Sequence, residues 1–267
     1  MGKVNIFTDL RDDTLLSQIS VIGTHDSATA GIRFPHRITS RCVRESFEEQ
    51  LAMGVRYFDI RLNLVKGELI AYHGLACCYI SWREIQGVFE KFLTENPREI
   101  VFVRVLRADD TFRRKTTDQE WKDLFYKESC GILSSKYSDG AIGWMRGRIV
   151  CINFMWKAYA PYISNDDYTL RATDKDVATK IDNIRRQVGK NVPAEHLNMI
   201  TLNARGSVPG LPFIPNPERF ANKLAKGIFI PTIDRPIWVC CDFPTKFKHL
   251  FPAILKRNER YNKCVTI

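Results

Sequence analysis

Short apolar runs alternate with amphipathic stretches along most of this 267-residue chain. A run of about four to eight apolar residues between polar or glycine-containing segments is typical of a strand buried on both faces. The pattern predicts eight strands, which are Ile19–Gly23, Val55–Leu62, Leu69–His73, Ile100–Leu106, Arg148–Phe154, Tyr168–Ala172, Met199–Asn203 and Ile237–Phe243.

The stretches between these runs carry apolar residues at helical spacing. In the clearest one, Trp82–Leu93, residues Ile85 and Phe89 share one stripe, and Ser81 with Glu84 forms a capping-box signature at its start. The same reasoning predicts five further helices, at Glu45–Met53, Asp118–Lys127, Asp174–Val188, Pro217–Ala225 and Thr245–Arg257.

Eight strands interleaved with helices fit the size and pattern of an α/β fold, a (βα)8 TIM barrel. We expect a single domain over residues 1–267, with residues 1–15 as an N-terminal extension. An open doubly wound sheet is the alternative. The barrel is favoured because polar residues follow the first, second, third, seventh and eighth strands, and a closed barrel gathers those strand ends around one mouth.

The net charge of +10 indicates an anionic partner, which could be a membrane surface, a phosphate ester or a nucleic acid. The basic residues form no long runs, so a nucleic acid ranks below the other two and is not expected. No apolar run approaches the ~20 residues of a membrane span, and the polar first 13 residues do not resemble a signal peptide. A cytoplasmic or peripheral membrane protein is therefore expected. The eight cysteines form no CxxC pair, which favours reduced thiols over a zinc site.

Candidate catalytic side chains follow three successive predicted strands. The segments are Gly23-Thr24-His25-Asp26-Ser27, Tyr57-Phe58-Asp59-Ile60-Arg61 and Leu69-Ile70-Ala71-Tyr72-His73-Gly74. Two histidines and an arginine suit phosphoryl transfer, since one imidazole accepts a proton, the other donates one, and a guanidinium binds phosphate oxygens.

These segments together resemble the bacterial-type phosphatidylinositol-specific phospholipases C of the X-domain superfamily. Further matching pieces are Asn96-Pro97-Arg98-Glu99-Ile100, Arg146-Gly147-Arg148-Ile149-Val150 and Val239-Cys240-Cys241-Asp242-Phe243, so the resemblance runs from about Ile19 to the C-terminus. It implies a distorted TIM barrel that cleaves the diacylglycerol–phosphate bond of phosphatidylinositol. The implied first product is inositol 1,2-cyclic phosphate, and glycosylphosphatidylinositol anchors are further substrates of many members.

The resemblance also implies a role for each catalytic candidate. His25 matches the general base, His73 the general acid and Arg61 the phosphate-binding residue. Asp242 matches the carboxylate that orients His25, and Asp26 the partner that assists protonation of the leaving group. Calcium-dependent relatives bind their metal where Arg61 stands, so neither a metal nor a cofactor is expected.

The head-group contacts depart from the family pattern. Leu106 stands where bacterial members have a lysine, and Phe154 where they have an arginine. The expected substrate-binding residues are Asp59, Arg104, Asn153 and Asp174. For Asp26, Asp59 and Asp242, a purely structural buried ion pair is the alternative to a role in the site. A strict preference for unphosphorylated inositol is therefore not implied.

Three apolar loops follow predicted strands and are expected to face lipid, because exposed aromatic side chains near basic residues favour a membrane interface. The expected membrane contacts are Trp82, Trp156, Tyr159 and Phe213. The alternative is that these side chains pack inward as a lid or a small core. A monomer bound peripherally to a phosphatidylinositol-containing membrane is expected.

Two other functions compete with a metal-independent phospholipase. A catalytically silent head-group-binding module on the same fold would lack one of His25, Arg61 and His73, and this chain retains all three. An enzyme of the glycerophosphodiesterase or sphingomyelinase D type would need a cluster of acidic metal ligands, and the predicted strand ends offer an arginine instead.

Overall fold

A computed structural model describes residues 4–108, 117–129, 133–134, 140–154, 157–158, 162–163, 170, 172–189, 197–207, 211, 214–228 and 235–262. The strands are β1 (Val21–Thr24), β2 (Val55–Val65), β3 (Glu68–His73), β4 (Ala76–Ser81), β5 (Val101–Arg107), β6 (Leu133–Ser134), β7 (Ile149–Phe154), β8 (Lys157–Ala158), β9 (Tyr162–Ile163), β10 (Leu197–Leu202) and β11 (Trp238–Cys241). The α-helices are α1 (Arg37–Ser40), α2 (Phe47–Ala52), α3 (Trp82–Glu95), α4 (Asp118–Glu128), α5 (Asp174–Gly189), α6 (Pro217–Gly227), α7 (Pro244–Phe247) and α8 (Phe251–Leu255). Short 3-10 helices cover Leu16–Gln18, Thr29–Gly31, Ile142–Met145, Lys248–Leu250 and Lys256–Tyr261.

One sheet organises the chain, with neighbouring strands in the order β6-β7-β5-β2-β1-β11-β10-β9. All of these neighbours are parallel. The first strand pairs with the last long one, since Thr24 lies opposite Cys241. Helices follow most of these strands, and the parallel arrangement places the carboxyl ends of the strands on one side of the sheet.

The third predicted strand forms, but it is antiparallel to its neighbours and belongs to a hairpin. Strand β3 runs antiparallel to β2, with Leu62 opposite Ala71, and it continues into β4, which the sequence pattern did not predict. His73 therefore comes from a hairpin that folds back along β2. The physical reason is the tight turn at Lys66 and Gly67, both with positive φ, which leaves no room for a crossover helix.

The sixth predicted strand was also placed wrongly. Of Tyr168–Ala172, the structure describes Leu170 and Ala172, and neither lies in a strand. The partner of β10 is instead β9, where Tyr162 lies opposite Leu197. The capped helices were easier to predict: α3 begins at Trp82 after the expected Ser81–Glu84 capping box.

Aromatic side chains on the inner face of the sheet fill its amino-terminal end. The ring of Trp238 lies 5.8 Å from that of Tyr57 and 4.9 Å from that of Phe102. A Cβ atom at Gly23 would lie 2.3 Å from the Tyr57 ring, so β1 needs a glycine at this close approach. The site lies beyond these rings, toward the carboxyl ends of the strands.

The predicted N-terminal extension, residues 1–15, is packed against the rest of the protein near its first described residues. The buried Glu99 carboxylate accepts hydrogen bonds from the backbone N–H groups of Ile6 and Phe7 and pairs with Arg56 at 2.7 Å. The side chain of Phe7 is fully buried. The segment thus closes the end of the sheet opposite the candidate site.

Candidate active site

Strand β2 sends two of the predicted side chains toward the carboxyl end of the sheet. Tyr57, Asp59 and Arg61 alternate along the strand and therefore share one face. Tyr57 belongs to the inner aromatic layer, so Asp59 and Arg61 occupy the next two levels of the same inner face. Asp59 is fully buried, whereas the Arg61 side chain is 27% exposed.

His25 follows β1 directly and is held by the neighbouring strand β11. Its backbone N–H donates to the carbonyl oxygen of Cys241 at 3.1 Å, and its Nδ1 lies 2.9 Å from Oδ1 of Asp242. The imidazole is buried, so this bond fixes the ring orientation. A proton on Nδ1 that is donated to Asp242 leaves Nε2 to face the site.

Asp26 places one carboxylate between three basic side chains. Its φ of +44° is a conformation that few residues other than glycine adopt, although aspartate tolerates it better than most. One oxygen, Oδ1, lies 2.7 Å from Nε of Arg61. The other oxygen, Oδ2, lies 3.3 Å from Nε2 of His25 and 3.3 Å from Nε2 of His73.

Arg61 links this carboxylate to the first histidine. Its Nη2 lies 3.0 Å from Nε2 of His25, while Asp59 is more distant, at 3.9 Å from Nη2. A guanidinium nitrogen can only donate, so this contact becomes a hydrogen bond when Nε2 of His25 is unprotonated. In that neutral form the ring proton is on Nδ1, which faces Asp242.

His73 approaches from the hairpin and has an acceptor near each ring nitrogen. Nδ1 lies 2.5 Å from the carbonyl oxygen of Ser40, and Nε2 faces Asp26. The thiol of Cys42 lies 4.0 Å from Nδ1. An imidazolium at this position can donate both of its N–H groups, which suits a proton donor.

The electrostatics of the cluster follow from burial and from the pairing of opposite charges. Burial opposes a charge on His25, but the carboxylates of Asp26 and Asp242 outweigh it and raise the pKa of His25 to about 9. Burial also opposes a charge on Asp26, yet Arg61, His25 and His73 hold the pKa of that carboxyl well below its usual range. Burial raises the pKa of Asp242 despite the attraction of His25.

Hydrogen bonds fasten the turn that carries His25 and Asp26. The buried Gln50 of α2 accepts from the Thr24 hydroxyl at 2.7 Å and donates to the Ser27 carbonyl at 3.0 Å. The Thr29 hydroxyl donates to the carbonyl of Asp26 and accepts from the N–H of Cys42. The turn is thereby tied both to α2 and to the segment that supports His73.

A pocket of about 460 Å³ opens beside the two histidines. Its lining residues include His25, His73 and Asp242 on one side and Asn203, Ala204, Arg205, Pro215 and Pro217 on another. The pocket gives a small molecule direct access to the cluster.

Among the described residues, the group with spacing suitable for a metal ion consists of His25, Asp26 and Cys42. The Arg61 guanidinium already supplies a positive charge there, 2.7 Å from Asp26. Burial and the nearby carboxylates of Asp242 and Asp26 raise the pKa of the Cys42 thiol well above its usual value, and a protonated thiol is a poor ligand. The Arg61 guanidinium therefore competes with a metal ion for the Asp26 carboxylate.

The structure places the predicted substrate-binding residues at different distances from the histidine cluster. Arg104 lies one level below Arg61, with its Nε 3.7 Å from Oδ1 of Asp59, so these two residues do join the base of the cluster. Asp174 lies at the start of α5, with a side chain that is 96% exposed and bonded to Lys223, outside the pocket lining. Asn153 lies in β7, opposite Arg104 on β5, and its side chain is outside the described structure.

The prediction that Trp82 contacts a membrane is wrong. Its side chain is fully buried, donates to the Ser129 hydroxyl at 2.9 Å and packs against the ring of Phe125. The capping box at Ser81 starts α3 immediately before this residue and turns it toward α4. The other predicted membrane contacts, Trp156, Tyr159 and Phe213, lie outside the described residues.

Several residues of the site were not predicted from the sequence. Ser40 acts through its backbone carbonyl, which carries no sequence signal. Gln50 could have been noticed, because it is a polar residue on the otherwise apolar face of α2. Asn203, the last residue of a predicted strand, was included in that strand without a role.

No protein-family model matches the chain. Over 125 residues, 44% of this chain, it is 30% identical to a 1-phosphatidylinositol phosphodiesterase of Listeria monocytogenes, of which the match covers 38%. A 1-phosphatidylinositol phosphodiesterase of Staphylococcus aureus is 21% identical over 188 residues, which are 67% of this chain and 60% of that protein. The chain thus spans less than two thirds of the length of either curated relative.

The solved structures extend the likeness to almost the whole chain. A phosphatidylinositol-specific phospholipase C from Staphylococcus aureus matches at a TM-score of 0.75, with 97% of each chain covered and 16% identity. The enzyme from Listeria monocytogenes matches at 0.65, with 94% of this chain and 97% of that chain covered and 19% identity. Another structure, concerned with modulation of membrane binding by the Staphylococcus aureus enzyme, matches at 0.71.

At identities this low, the structural matches establish the fold alone. They confirm the predicted α/β class with its distorted TIM barrel. In the described part of the chain, no helix combines the length and the apolar content needed to cross a bilayer. In fold, and over part of its length in sequence, this chain is similar to the bacterial phosphatidylinositol-specific phospholipases C.

Proposed function

We propose that this protein is a metal-independent phospholipase C that cleaves phosphatidylinositol by intramolecular transphosphorylation. One observation carries the proposal: Nε2 of His25 and Nε2 of His73 both lie 3.3 Å from the same oxygen of Asp26, with Arg61 alongside. A proton acceptor and a proton donor thus face one small volume that also holds a guanidinium. The similarity to bacterial 1-phosphatidylinositol phosphodiesterases supports the choice of substrate.

His25 is the general base of this reaction. The inositol 2-hydroxyl gives its proton to Nε2, and its oxygen attacks phosphorus. Asp242, bonded to Nδ1 at 2.9 Å, stabilises the imidazolium that forms. The neutral ring is the form that can accept this proton, and it is also the form in which the contact with Arg61 is a hydrogen bond.

Arg61 stabilises the charge that develops on the phosphate oxygens. Its guanidinium can form two parallel bonds to non-bridging oxygens while Asp26 holds it in position. An arginine in this role supplies the charge that a metal ion supplies in calcium-dependent relatives.

His73 protonates the leaving group, and the ionised carboxylate of Asp26 assists by lying 3.3 Å from its Nε2. As the bond between phosphorus and the diacylglycerol oxygen breaks, Nε2 of His73 gives its proton to that oxygen. The products are diacylglycerol and inositol 1,2-cyclic phosphate. The carbonyl of Ser40 holds the other N–H of His73 and keeps the ring aimed at the site.

A lipid surface would meet the mouth of the pocket at exposed apolar side chains. Phe34, Ile38, Leu75 and Tyr79 are each more than half exposed, and Leu75 lines the pocket. The guanidinium of Arg33 lies 4.2 Å from the centre of the Tyr79 ring, which places a positive charge within the group. We call these four residues the apolar rim. They take the place of Trp82 in the proposed membrane contact.

The proposal is tested by incubating the protein with phosphatidylinositol vesicles in excess EDTA and following products by phosphorus NMR. Inositol 1,2-cyclic phosphate is expected, and His25→Ala should lower its rate of formation by a factor of about 10² to 10⁴. His249→Ala is the matched control, since His249 is exposed and outside the pocket lining. Turnover that requires added calcium would refute the role of Arg61. No turnover under either condition would favour a head-group-binding module.

A further inference from the structure

Asn203 lies at the level of the catalytic carboxylate on the neighbouring strand. Leu202 is opposite Cys241 in the parallel pair β10–β11, so the next residues along both strands are Asn203 and Asp242. Both residues line the pocket that also contains His25 and His73. A ligand that reaches the histidines through this pocket passes Asn203.

The amide of Asn203 is buried without a hydrogen-bond partner in the described structure. The residue is 2% exposed, and neither its side-chain oxygen nor its side-chain nitrogen is bonded. Leaving a buried polar group unsatisfied is costly, and such groups in native proteins call for an explanation. Ala204, Pro215 and Pro217, which line the same pocket, carry no polar side-chain group.

Other buried asparagines of this protein are bonded within the fold. Asn258 accepts from the N–H of Ser20 at 2.7 Å and donates to the Ser20 carbonyl at 2.9 Å. Asn198 accepts from the Gln187 amide at 3.0 Å. Their amides form hydrogen bonds that join separate elements of the fold. The amide of Asn203 forms no such hydrogen bond with the described residues.

We propose that Asn203 recognises the cyclitol ring of the substrate, an inference that rests on the proposed function. A primary amide offers one acceptor and two donors, which matches neighbouring hydroxyl groups on a polyol ring. The ring hydroxyls supply the hydrogen-bond partners that the amide lacks among the described residues. Asn203 is thus a specificity-determining residue, and it takes no part in proton transfer.

The test measures binding of myo-inositol, the head group without phosphate or lipid, by ligand-observed NMR titration. Asn203→Ala should raise the Kd for myo-inositol about tenfold, as the loss of one to two hydrogen bonds predicts. The thermal unfolding midpoint should not fall, because the Asn203 side chain forms no hydrogen bond to any described residue. Asn222→Ala, at an exposed position of α6, is the matched control and should change neither quantity.

A second variant keeps the test open if the alanine variant folds poorly. Asn203→Leu has a similar size without polar atoms and should also weaken myo-inositol binding while preserving the unfolding midpoint. An unchanged Kd in either folded variant would overturn the role of Asn203, even if the wild-type protein cleaves phosphatidylinositol. Absence of cleavage by the wild-type protein would instead overturn the proposed function itself.

Discussion

His25 and Asp242 are separated by 217 residues in the chain, and their side chains meet at 2.9 Å. The contact exists because the first and last long strands of the sheet are parallel neighbours, so that their carboxyl ends lie side by side. The bond reaches Nδ1, the nitrogen that points away from the other two carboxylates near the ring. The fold thereby sets both the tautomer and the basicity of His25.

Replacing the carboxylate should separate these two effects. In Asp242→Asn the pKa of His25 should fall from about 9, because one of the two carboxylates that stabilise the imidazolium is gone. The acidic limb of the kcat/KM profile should move to lower pH, while the maximal rate falls by a factor of about 10² to 10⁴ because the ring loses its orientation. Asp182→Asn, at an exposed ion pair on α5, is the control. An unshifted acidic limb would mean that another group titrates there.

The raised pKa of His25 also implies that the free energy of unfolding depends on pH. The folded pKa of about 9 exceeds the ordinary value of 6.5, so protonation stabilises the folded state. This contribution, of about 3 kcal/mol, is complete below pH 6.5 and disappears as the pH rises through 9. Urea unfolding at pH 6 and pH 9.5 should show this loss in the wild-type protein and in His249→Ala. The loss should be absent in His25→Ala, and equal pH dependence in all three proteins would contradict the assignment.

The sequence predicts which side chains cluster around His25 better than it predicts the sheet. His25, Arg61 and Asp242 follow strands whose apolar runs are unambiguous, and parallel pairing then brings their side chains together. The hairpin of β3 and β4 was missed because antiparallel and parallel strands carry the same short apolar runs. Tyr168–Ala172 was misplaced because the two-residue β9 is too short to leave a periodic pattern.

The sequence also does not predict which individual side chains are buried. An aromatic residue at a loop–helix boundary fits a membrane contact and a core position equally well, and for Trp82 packing against Phe125 decides. The amide of Asn203 has no hydrogen-bond partner among the described residues. No local sequence pattern predicts this, because it depends on residues that are distant along the chain. Asp26 was identified as a carboxylate of the site, but its position between three basic side chains depends on the positive φ of the turn.

Arg61 should not be replaceable by lysine. Its Nε contacts Asp26 at 2.7 Å and its Nη2 contacts His25 at 3.0 Å, and an ammonium group cannot make both contacts and also bind two phosphate oxygens. We expect Arg61→Lys to lower kcat by a factor of at least about 10² with a smaller change in KM, since the loss falls mainly on the transition state. Steady-state kinetics on a water-soluble short-chain phosphatidylinositol measures this. Arg44→Lys, at an exposed pair with Glu218, serves as the control. Near-normal kcat in Arg61→Lys would contradict the proposed role.

Glu99 should matter for folding and not for chemistry. Its buried carboxylate pairs with Arg56 and accepts from the N–H groups of Ile6, Phe7 and Thr8. Glu99→Gln would leave Arg56 buried without its counter-charge, which should lower the free energy of unfolding by about 3 to 5 kcal/mol. Chemical denaturation at pH 7 should show this drop, whereas the exposed Glu90→Gln should differ little from the wild type. If enough folded variant is obtained, its kcat should equal that of the wild type. A stable Glu99→Gln protein would show that residues 4–15 are held mainly by apolar packing.

The apolar rim should contribute to vesicle binding without affecting chemistry. Ile38 is 51% and Leu75 is 55% exposed, and insertion of both side chains into a bilayer interface would bury apolar surface that water now covers. The double variant Ile38→Asn, Leu75→Asn should weaken binding to phosphatidylinositol vesicles by about tenfold or more in a sedimentation assay. Its kcat/KM on a monomeric short-chain substrate should stay within about twofold of the wild type, because neither side chain carries a polar group that the proposed chemistry uses. Trp144→Ser removes an even more exposed apolar side chain, from the 3-10 helix that precedes β7 at the opposite end of the sheet, and should leave vesicle binding unchanged. Equal losses in the two variants would indicate nonspecific surface adhesion. A loss confined to Trp144→Ser would place the membrane contact at the wrong end of the sheet for catalysis.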